Sequence, residues 1–232
     1  MIRAVIKKLS YALFPRRCTL CGEVVELDKH LCENCESNKR VNGAICKRCG
    51  CSVDDCKCKI NDKVKYECVA APFYFENGAS NAVYRFKFYG YTELAEAMAN
   101  EMTETIKQRY CDVEFDYITY VPLTKKRMRK RGYNQSQLLA DFIAKNINVP
   151  CSELLLKVRE TSSQRESTAV QRRQNLRNAF KIVDNADIKG KTILLIDDVK
   201  TTGSTLNECT KILKQNGAGA VYACAFTITK KI

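Results

Sequence analysis

The sequence contains no apolar run that approaches the roughly 20 residues needed to span a bilayer. It also lacks low-complexity tracts, and residues 1–14 lack the long apolar centre and small-residue cleavage site of a signal peptide. Their apolar residues recur at helical spacing, which predicts a short helix packed on the body, with a membrane-surface helix as the alternative. We therefore expect a cytoplasmic protein without a transmembrane segment, with association at the inner face of the membrane as the alternative.

Cysteine, by contrast, is abundant and concentrated. Nine of the 14 cysteines lie within 18–58, and a C-x2-C pair recurs every 14 residues from Cys18. Two thiolates on one tight turn can share a Zn²⁺ ion, and two such turns complete a tetrahedral site. A segment of about 40 residues with so few large apolar side chains needs metal ligation to fold. The candidate ligands for one or two zinc ions are Cys18, Cys21, Cys32, Cys35, Cys46, Cys49, Cys56 and Cys58.

The spacing leaves the pairing of these ligands open. Sequential pairing would place the cysteines of 18–35 in one site and those of 46–58 in the other, whereas interleaved pairing would mix the two groups. Cys51 competes as a ligand within the second group, which ends in C-x-C. His30 is the only histidine, and we interpret it as a solvated bystander because the cysteines already suffice. A full thiolate shell leaves no open position, so the zinc would be structural.

Positive charge is also unevenly distributed. The net charge is +13, and the segments 124–135 and 157–181 together hold an excess of 11 positive charges. Such clusters favour an anionic partner. Aromatic residues near basic ones could stack the bases of a single strand, although most are expected in the core because Tyr84 and Phe88 lie four apart on one helical face. The six aromatics are Tyr84, Phe86, Phe88, Tyr89, Tyr91 and Tyr133.

Beyond the cysteine-rich segment, strand and helix patterns alternate. Strands are expected at about 66–75, 117–123 and 154–158 and in the apolar run that ends at Asp197. Helices are expected at about 79–88, 93–110 and 134–146 and from Thr205 to Asn216. This alternation predicts an α/β domain with a largely parallel sheet over 63–232, preceded by the N-terminal helix and cysteine module over 1–62.

The most informative stretch is Ile196-Asp-Asp-Val-Lys-Thr-Thr-Gly-Ser-Thr205, in which a strand, a loop and a helix are joined with almost no slack. Such a join points backbone N–H groups and the positive end of a helix dipole at the loop, which favours a phosphate. The carboxylates of Asp197 and Asp198 can accept hydrogen bonds from vicinal ribose hydroxyls. The loop lacks the glycine patterns of nucleoside triphosphate and dinucleotide sites, so a sugar phosphate fits it better.

This stretch looks like the phosphoribosyl-diphosphate signature of type I phosphoribosyltransferases. The chain also resembles the ComF competence-protein family in Val121-Pro-Leu, Arg131-Gly-Tyr-Asn-Gln135, Gln171-Arg-Arg-Gln-Asn175 and Asn178-Ala-Phe180. The resemblance spans nearly the whole chain and implies a double zinc ribbon followed by a type I phosphoribosyltransferase-like domain. It further implies a part in natural transformation, in which incoming single-stranded DNA is handled in the cytoplasm, and a competence helicase as partner.

The resemblance also implies roles for particular residues. Asp197 and Asp198 are the candidate catalytic and ribose-binding residues. The 5′-phosphate would lie among Thr201, Thr202, Gly203, Ser204 and Thr205, and the diphosphate with Mg²⁺ would lie near Arg127, Lys130 and Arg131. The segment from Glu160 to Arg173 could close over the site. Lys200 stands where many relatives have an apolar residue, so its contact with the ligand is left open.

Two functions follow as hypotheses. The first is a ComF-type protein that binds phosphoribosyl diphosphate and single-stranded DNA and acts in DNA uptake, with the phosphoribosyl site in a regulatory or vestigial role. The alternative is an active phosphoribosyltransferase in nucleotide or nucleobase metabolism. That reaction needs cations to stabilise the leaving diphosphate and no nucleophilic side chain, so the lack of a His, Cys and Asp constellation in the α/β region is compatible with it.

Overall fold

The computed structural model describes residues 15–36, 40–59, 63–160 and 178–230. The expected N-terminal helix, the part of the expected closing segment from 161 to 173 and the motif Gln171 to Asn175 lie outside the described residues. Within these ranges, no helix has both the length and the apolar character required to cross a membrane.

The described chain alternates between helices and strands after the cysteine-rich segment. The helices are α1 (Glu33–Glu36), α2 (Asn77–Phe88), α3 (Leu94–Arg109), α4 (Lys125–Arg131), α5 (Gln135–Ile147) and α6 (Ser204–Gln215). The strands are β1 (Val69–Ala70), β2 (Phe73–Tyr74), β3 (Tyr117–Tyr120), β4 (Leu155–Lys157), β5 (Phe180–Ile182), β6 (Thr192–Lys200) and β7 (Ala220–Ile228).

The main sheet is parallel in every pairing. Its order is β1-β7-β6-β3, and β2 also pairs with β7, whereas β4 and β5 form a separate antiparallel pair. Along β6, Leu194 and Ile196 face the core formed with α2, α3 and α5, and Ile193 and Leu195 face the core under α6. A strand buried on both faces is apolar throughout, which is typical of a parallel sheet covered by helices. The expected α/β fold is confirmed.

Several elements differ from the expectation. The strand expected at 66–75 is split into β1 and β2, with Ala71 and Pro72 between them, because proline has no N–H to donate to a ladder. Neither β5 nor β7 was predicted from the sequence, although β7 is the central partner of β1, β2 and β6. The basic run at 125–131 is helix α4, whose N-cap Thr124 accepts a hydrogen bond from the backbone N–H of Arg127.

The cysteine-rich segment packs against the α/β part. Cys18 and Leu20, from its first half, share a buried core with Phe86 of α2. From its second half, Cys49 shares a smaller core with Ile228 of β7. Polar contacts reinforce both junctions: Arg40 pairs with Glu101 at 2.8 Å, Lys230 pairs with Asp55 at 2.9 Å, and the Arg109 guanidinium donates to the carbonyl of Gly43 at 2.6 Å.

Candidate functional site

The two aspartates lie near the carboxyl end of β6, two residues before the strand ends. β6 continues to Lys200, and Asp197 is in register with Ala225 of β7, so the strand ladder fixes the backbone of the pair. Three residues, Thr201 to Gly203, then connect the strand to α6. The N–H of Ser204 donates to Thr202 Oγ1 at 3.4 Å, but the N-cap residue Gly203 has no side chain with which to cap the helix, so the first-turn N–H groups that follow Ser204 are available to an anion.

Glycine is required at position 203. Its φ of +75° lies in the left-handed region, and a Cβ there would lie 3.2 Å from Lys200 Cε and 3.2 Å from Tyr66 Oη. Lys200 itself is buried beneath the loop and does not line the cavity described next. The Tyr66 hydroxyl donates to the carbonyl of Arg48 at 2.7 Å, so the back of the loop rests on the second half of the cysteine-rich segment.

A cavity of about 370 Å³ opens beside the aspartates. Side chains from α2, α4, α5, β4 and β6 reach it. Its charged lining residues are Lys87, Arg127, Arg131, Lys157, Asp197 and Asp198, and Thr201 and Thr205 contribute hydroxyl groups. Four cations around two carboxylates suit a ligand that carries both phosphates and hydroxyl groups.

Asp198 is ion-paired with a residue that sequence reasoning missed. Lys87 Nζ lies 2.7 Å from Asp198 Oδ2 and 2.9 Å from Oδ1, and the Asp198 side chain is only 7% exposed. Lys87 lies in the last turn of α2, 111 positions away along the chain. A single lysine in an amphipathic helix carries no local signal for such a contact, because only the packing of α2 over β6 creates it.

Asp197 is buried as well, and two donors hold its carboxylate. Ser136 Oγ donates to Asp197 Oδ1 at 3.1 Å, and the backbone N–H of Asp198 donates to the same oxygen at 2.9 Å. Burial and then the neighbouring Asp198 carboxylate raise the pKa of Asp197 to about 7, although Lys87 and the two hydrogen bonds oppose the shift. Near neutral pH the carboxyl group of Asp197 is therefore partly protonated.

Hydrogen bonds at the start of α5 connect three parts of the site. The Asn134 side chain accepts from the backbone N–H of Ser136 and donates to the carbonyl of Val121, each at 3.1 Å. Arg131 Nη1 donates to Gln135 Oε1 at 2.9 Å. The Gln135 side chain is buried and lines the cavity, and its Nε2 has no hydrogen-bond partner among the described residues. The motif from Arg131 to Gln135 is thus built into the cavity wall.

Not every predicted diphosphate contact reaches the cavity. Arg127 and Arg131 line it, whereas Lys130 is exposed on α4 and is not a lining residue. The Arg127 guanidinium lies 3.4 Å from Glu160, which also accepts a hydrogen bond from the Thr124 hydroxyl. Lys157, missed from the sequence, lines the cavity from β4, and burial and the nearby Arg127 lower its pKa.

Of the four predicted hydroxyl groups of the loop and the start of α6, two line the cavity and two do not. Thr201 and Thr205 line the cavity, whereas Thr202 Oγ1 and Ser204 Oγ lie 2.8 Å from each other and do not line it.

The eight predicted zinc ligands form two clusters with sequential pairing. Cys18, Cys21, Cys32 and Cys35 form one, and Cys46, Cys49, Cys56 and Cys58 form the other, with the sulfur atoms of each cluster within 4.8 Å of one another. Zinc–sulfur bonds of roughly 2.3 Å in a tetrahedron separate the sulfurs by roughly 3.8 Å, so both clusters fit structural zinc. Interleaved pairing is wrong, and neither Cys51 nor His30 belongs to a cluster.

Two protein-family models match separate parts of the chain. The family model "Double zinc ribbon domain" matches residues 9–69. The model "Phosphoribosyl transferase domain" matches residues 134–231, which include β6, the loop and α6. The structure also matches glutamine phosphoribosylpyrophosphate amidotransferase from B. subtilis with a TM-score of 0.43 and 19% identity, over 62% of this chain and 30% of that longer chain.

Curated relatives span most of the chain. The DNA utilization protein YhgH of Escherichia coli is 28% identical over 208 residues, which cover 88% of this chain and 86% of that protein. Competence protein F of Haemophilus influenzae is 28% identical over 214 residues, with 88% and 93% covered. Competence protein ComFC of Bacillus subtilis is 27% identical over 213 residues, with 88% and 85% covered. The chain therefore combines a double zinc ribbon with a phosphoribosyl transferase domain, and its resemblance to the ComF competence proteins is confirmed.

Proposed function

We propose that this protein binds phosphoribosyl diphosphate in the cavity at Asp197 and single-stranded DNA on its basic surface, and that it acts in DNA uptake in the cytoplasm. One observation carries the first part: two aspartates lie near the carboxyl end of β6, a three-residue loop joins that strand to α6, and four cations line the same cavity. The printed names of the relatives, which refer to DNA utilization and competence, support the second part.

Each part of the ligand has a matching group. Asp198 would accept hydrogen bonds from the ribose hydroxyls, and Asp197, held by Ser136, would accept or donate according to its protonation. The 5′-phosphate would lie between Thr201, Thr205 and the N-terminus of α6. Arg127, Arg131 and Lys157 would hold the diphosphate, and bound Mg²⁺ would neutralise part of its charge.

Lys87 would have to release Asp198 when ribose binds. Its ammonium group occupies the same carboxylate oxygens that the hydroxyl groups would use. Because Lys87 lines the cavity, its side chain can turn from the carboxylate to a phosphate of the ligand without leaving the site.

Basic side chains outside this cavity support an anionic polymer as the second ligand. A groove of about 850 Å³ lies along α4 and β4, with an exposed apolar floor that includes Met128 and Val158. Its cationic lining residues are Lys125, Lys126, Arg129, Lys157 and Lys181, against Glu153 and Glu160. Phosphate contacts of this kind make affinity fall steeply with salt.

Calorimetric titration of the zinc-loaded protein with phosphoribosyl diphosphate and Mg²⁺ tests the first ligand. We expect saturable binding that is lost in the double variant Asp197→Asn/Asp198→Asn. The matched control is Asp184→Asn/Asp187→Asn, which removes two exposed carboxylates from the loop between β5 and β6 and should bind as the natural chain does. No binding by the natural chain would refute a phosphoribosyl site.

Single-strand binding is tested by fluorescence anisotropy with a labelled oligonucleotide at several salt concentrations. Binding that weakens steeply with salt supports the proposal, and no binding at low salt refutes it. A competence helicase is the protein partner that we expect from the resemblance, and co-purification of the two proteins would test that contact.

An active transferase is the second candidate. The groove along α4 adjoins the aspartate cavity, because Leu123 and Lys157 line both. An acceptor in the groove would therefore lie next to the bound sugar. Release of diphosphate on addition of candidate acceptors, and its loss in Asp198→Asn, would support transfer, whereas full turnover by that variant would exclude this role for Asp198.

A further inference from the structure

The exposed aromatic side chains of the described chain are confined to one stretch of eight residues. They are Tyr84, Phe88, Tyr89 and Tyr91, with exposed fractions between 41% and 73%. All other tyrosine and phenylalanine residues in the described ranges are buried or half-buried. Large exposed apolar groups that cluster in this way mark an interaction surface. The expectation that Tyr84 and Phe88 belong to the core is wrong, because their shared face of α2 points outward.

The rings are arranged as a stack at the mouth of the aspartate cavity. Tyr84 and Phe88 are one helical turn apart, with ring centroids at 5.9 Å and an interplanar angle of 29°. The Arg131 guanidinium carbon lies 5.4 Å from the Phe88 ring centroid. Tyr84, Phe88 and Arg131 all line the cavity that contains Asp198. Two exposed aromatic rings and a guanidinium group therefore line the same cavity as the aspartates.

The charge between the rings favours a polyanion over an apolar protein partner. α2 contains no acidic residue, and Arg85 and Lys87 alternate with its exposed aromatics. The Arg85 guanidinium carbon lies 4.9 Å from the Tyr91 ring centroid, and both residues line a second cleft of about 450 Å³ beside the first zinc ribbon. The other charged residues of that cleft are Arg16, Arg17, Lys29, Glu93 and Glu96. Aromatic platforms interleaved with cations are what unpaired bases and their phosphates bind.

We propose that Tyr84, Phe88 and Tyr91 form a base-stacking track for single-stranded nucleic acid, leading from the aspartate cavity to the cleft beside the first zinc ribbon. The track rests on the proposed single-strand binding and assigns its residues. Unpaired bases stack on the three rings, and Arg85 and Arg131 contact the phosphates between them. The strand is thereby brought to the cavity in which phosphoribosyl diphosphate is proposed to bind.

The test compares two labelled strands of equal length, oligo-dT and an abasic strand that keeps the phosphates but has no bases to stack. The natural chain should bind oligo-dT more tightly than the abasic strand. The double variant Tyr84→Ala/Phe88→Ala should lose affinity for oligo-dT by roughly ten- to a hundredfold. Its affinity for the abasic strand should change little, because phosphate contacts remain. Val53→Ala, a substitution at a residue that is 57% exposed in the second ribbon, is the matched control and should leave both affinities unchanged.

Conservative variants at position 88 distinguish the stacking of an aromatic ring from the presence of a large side chain. Phe88→Tyr should retain the preference for oligo-dT, whereas Phe88→Leu should lose it. The track alone would be overturned by equal binding of the two strands by the natural chain, or by unchanged oligo-dT affinity in the double variant. The aromatic surface would then be assigned to binding of a protein partner. No binding of either strand at low salt would overturn the proposed DNA function together with the track. Zinc content and far-ultraviolet circular dichroism confirm that each variant is folded.

Discussion

Replacement of Asp197 by asparagine should stabilise the protein, although Asp197 is a hydrogen-bonded residue of the proposed site. The pKa of Asp197 is raised from 3.8 to about 7, so its ionised form is disfavoured in the folded state. The free-energy cost of keeping Asp197 ionised in the folded state is absent below pH 3.8, increases up to pH 7 and is complete above it. A shift of this size corresponds to about 4 kcal/mol at pH 8.5 and about 3 kcal/mol at pH 6. Asparagine keeps an oxygen that can accept from Ser136 and carries no charge.

Urea unfolding of zinc-loaded natural chain and Asp197→Asn at both pH values measures this effect. We expect the variant to be more stable at pH 8.5, and its advantage to shrink by about 1 kcal/mol at pH 6. Asp198→Asn is the matched control, and it should act in the opposite direction. It leaves Lys87 half-buried without its carboxylate partner, which should cost about 1 to 3 kcal/mol. If both variants destabilise equally at both pH values, the charge on Asp197 is not disfavoured and the reasoning fails.

Three further outcomes are expected. Gly203→Ala should weaken phosphoribosyl diphosphate binding in calorimetry and cost about 1 to 2 kcal/mol of stability, whereas Gly190→Ala, with a similar positive φ but no neighbour within 4 Å, should cost stability without changing the binding. Tyr66→Phe should lower the free energy of unfolding by about 1 kcal/mol, because its hydrogen bond to Arg48 is lost. Elemental analysis should find two zinc ions per chain, and one or none would contradict the two clusters.

The local features of the site were predictable because their causes are local. The cysteine spacing identified the eight ligands, and the stretch from Asp197 to Thr205 identified the join of strand, loop and helix. The pairing of the cysteines was left open, because spacing limits which thiols can reach one another but does not choose among the turns. In the structure each cluster joins its two nearest cysteine pairs, with Cys51 outside.

The remaining features depend on contacts between distant segments. Lys87 and Lys157 reach the cavity from two different elements, and neither has a neighbour in sequence that signals it. Strand β7 was missed although its pairing fixes β6 as far as Lys200, where the loop begins, since an apolar run of nine residues is compatible with a strand or a buried helix. The exposed face of α2 was misassigned for a related reason. Residues four apart share a helical face, but the pattern does not say whether that face packs inward.

The position of the second ribbon connects the zinc module to the loop of the proposed phosphate site. Tyr66 packs behind Gly203 and bonds to Arg48, which lies between two ligands of the second cluster. Gly50, in the same ribbon turn, approaches β1 so closely that a Cβ would lie 3.0 Å from the carbonyl of Val69. The loop is therefore backed by Tyr66 and the second ribbon, and the shape of that ribbon depends on four cysteine thiolates. Because a ribbon with so small a core needs its metal to fold, loss of zinc should loosen the loop from Thr201 to Gly203 as well as the ribbon.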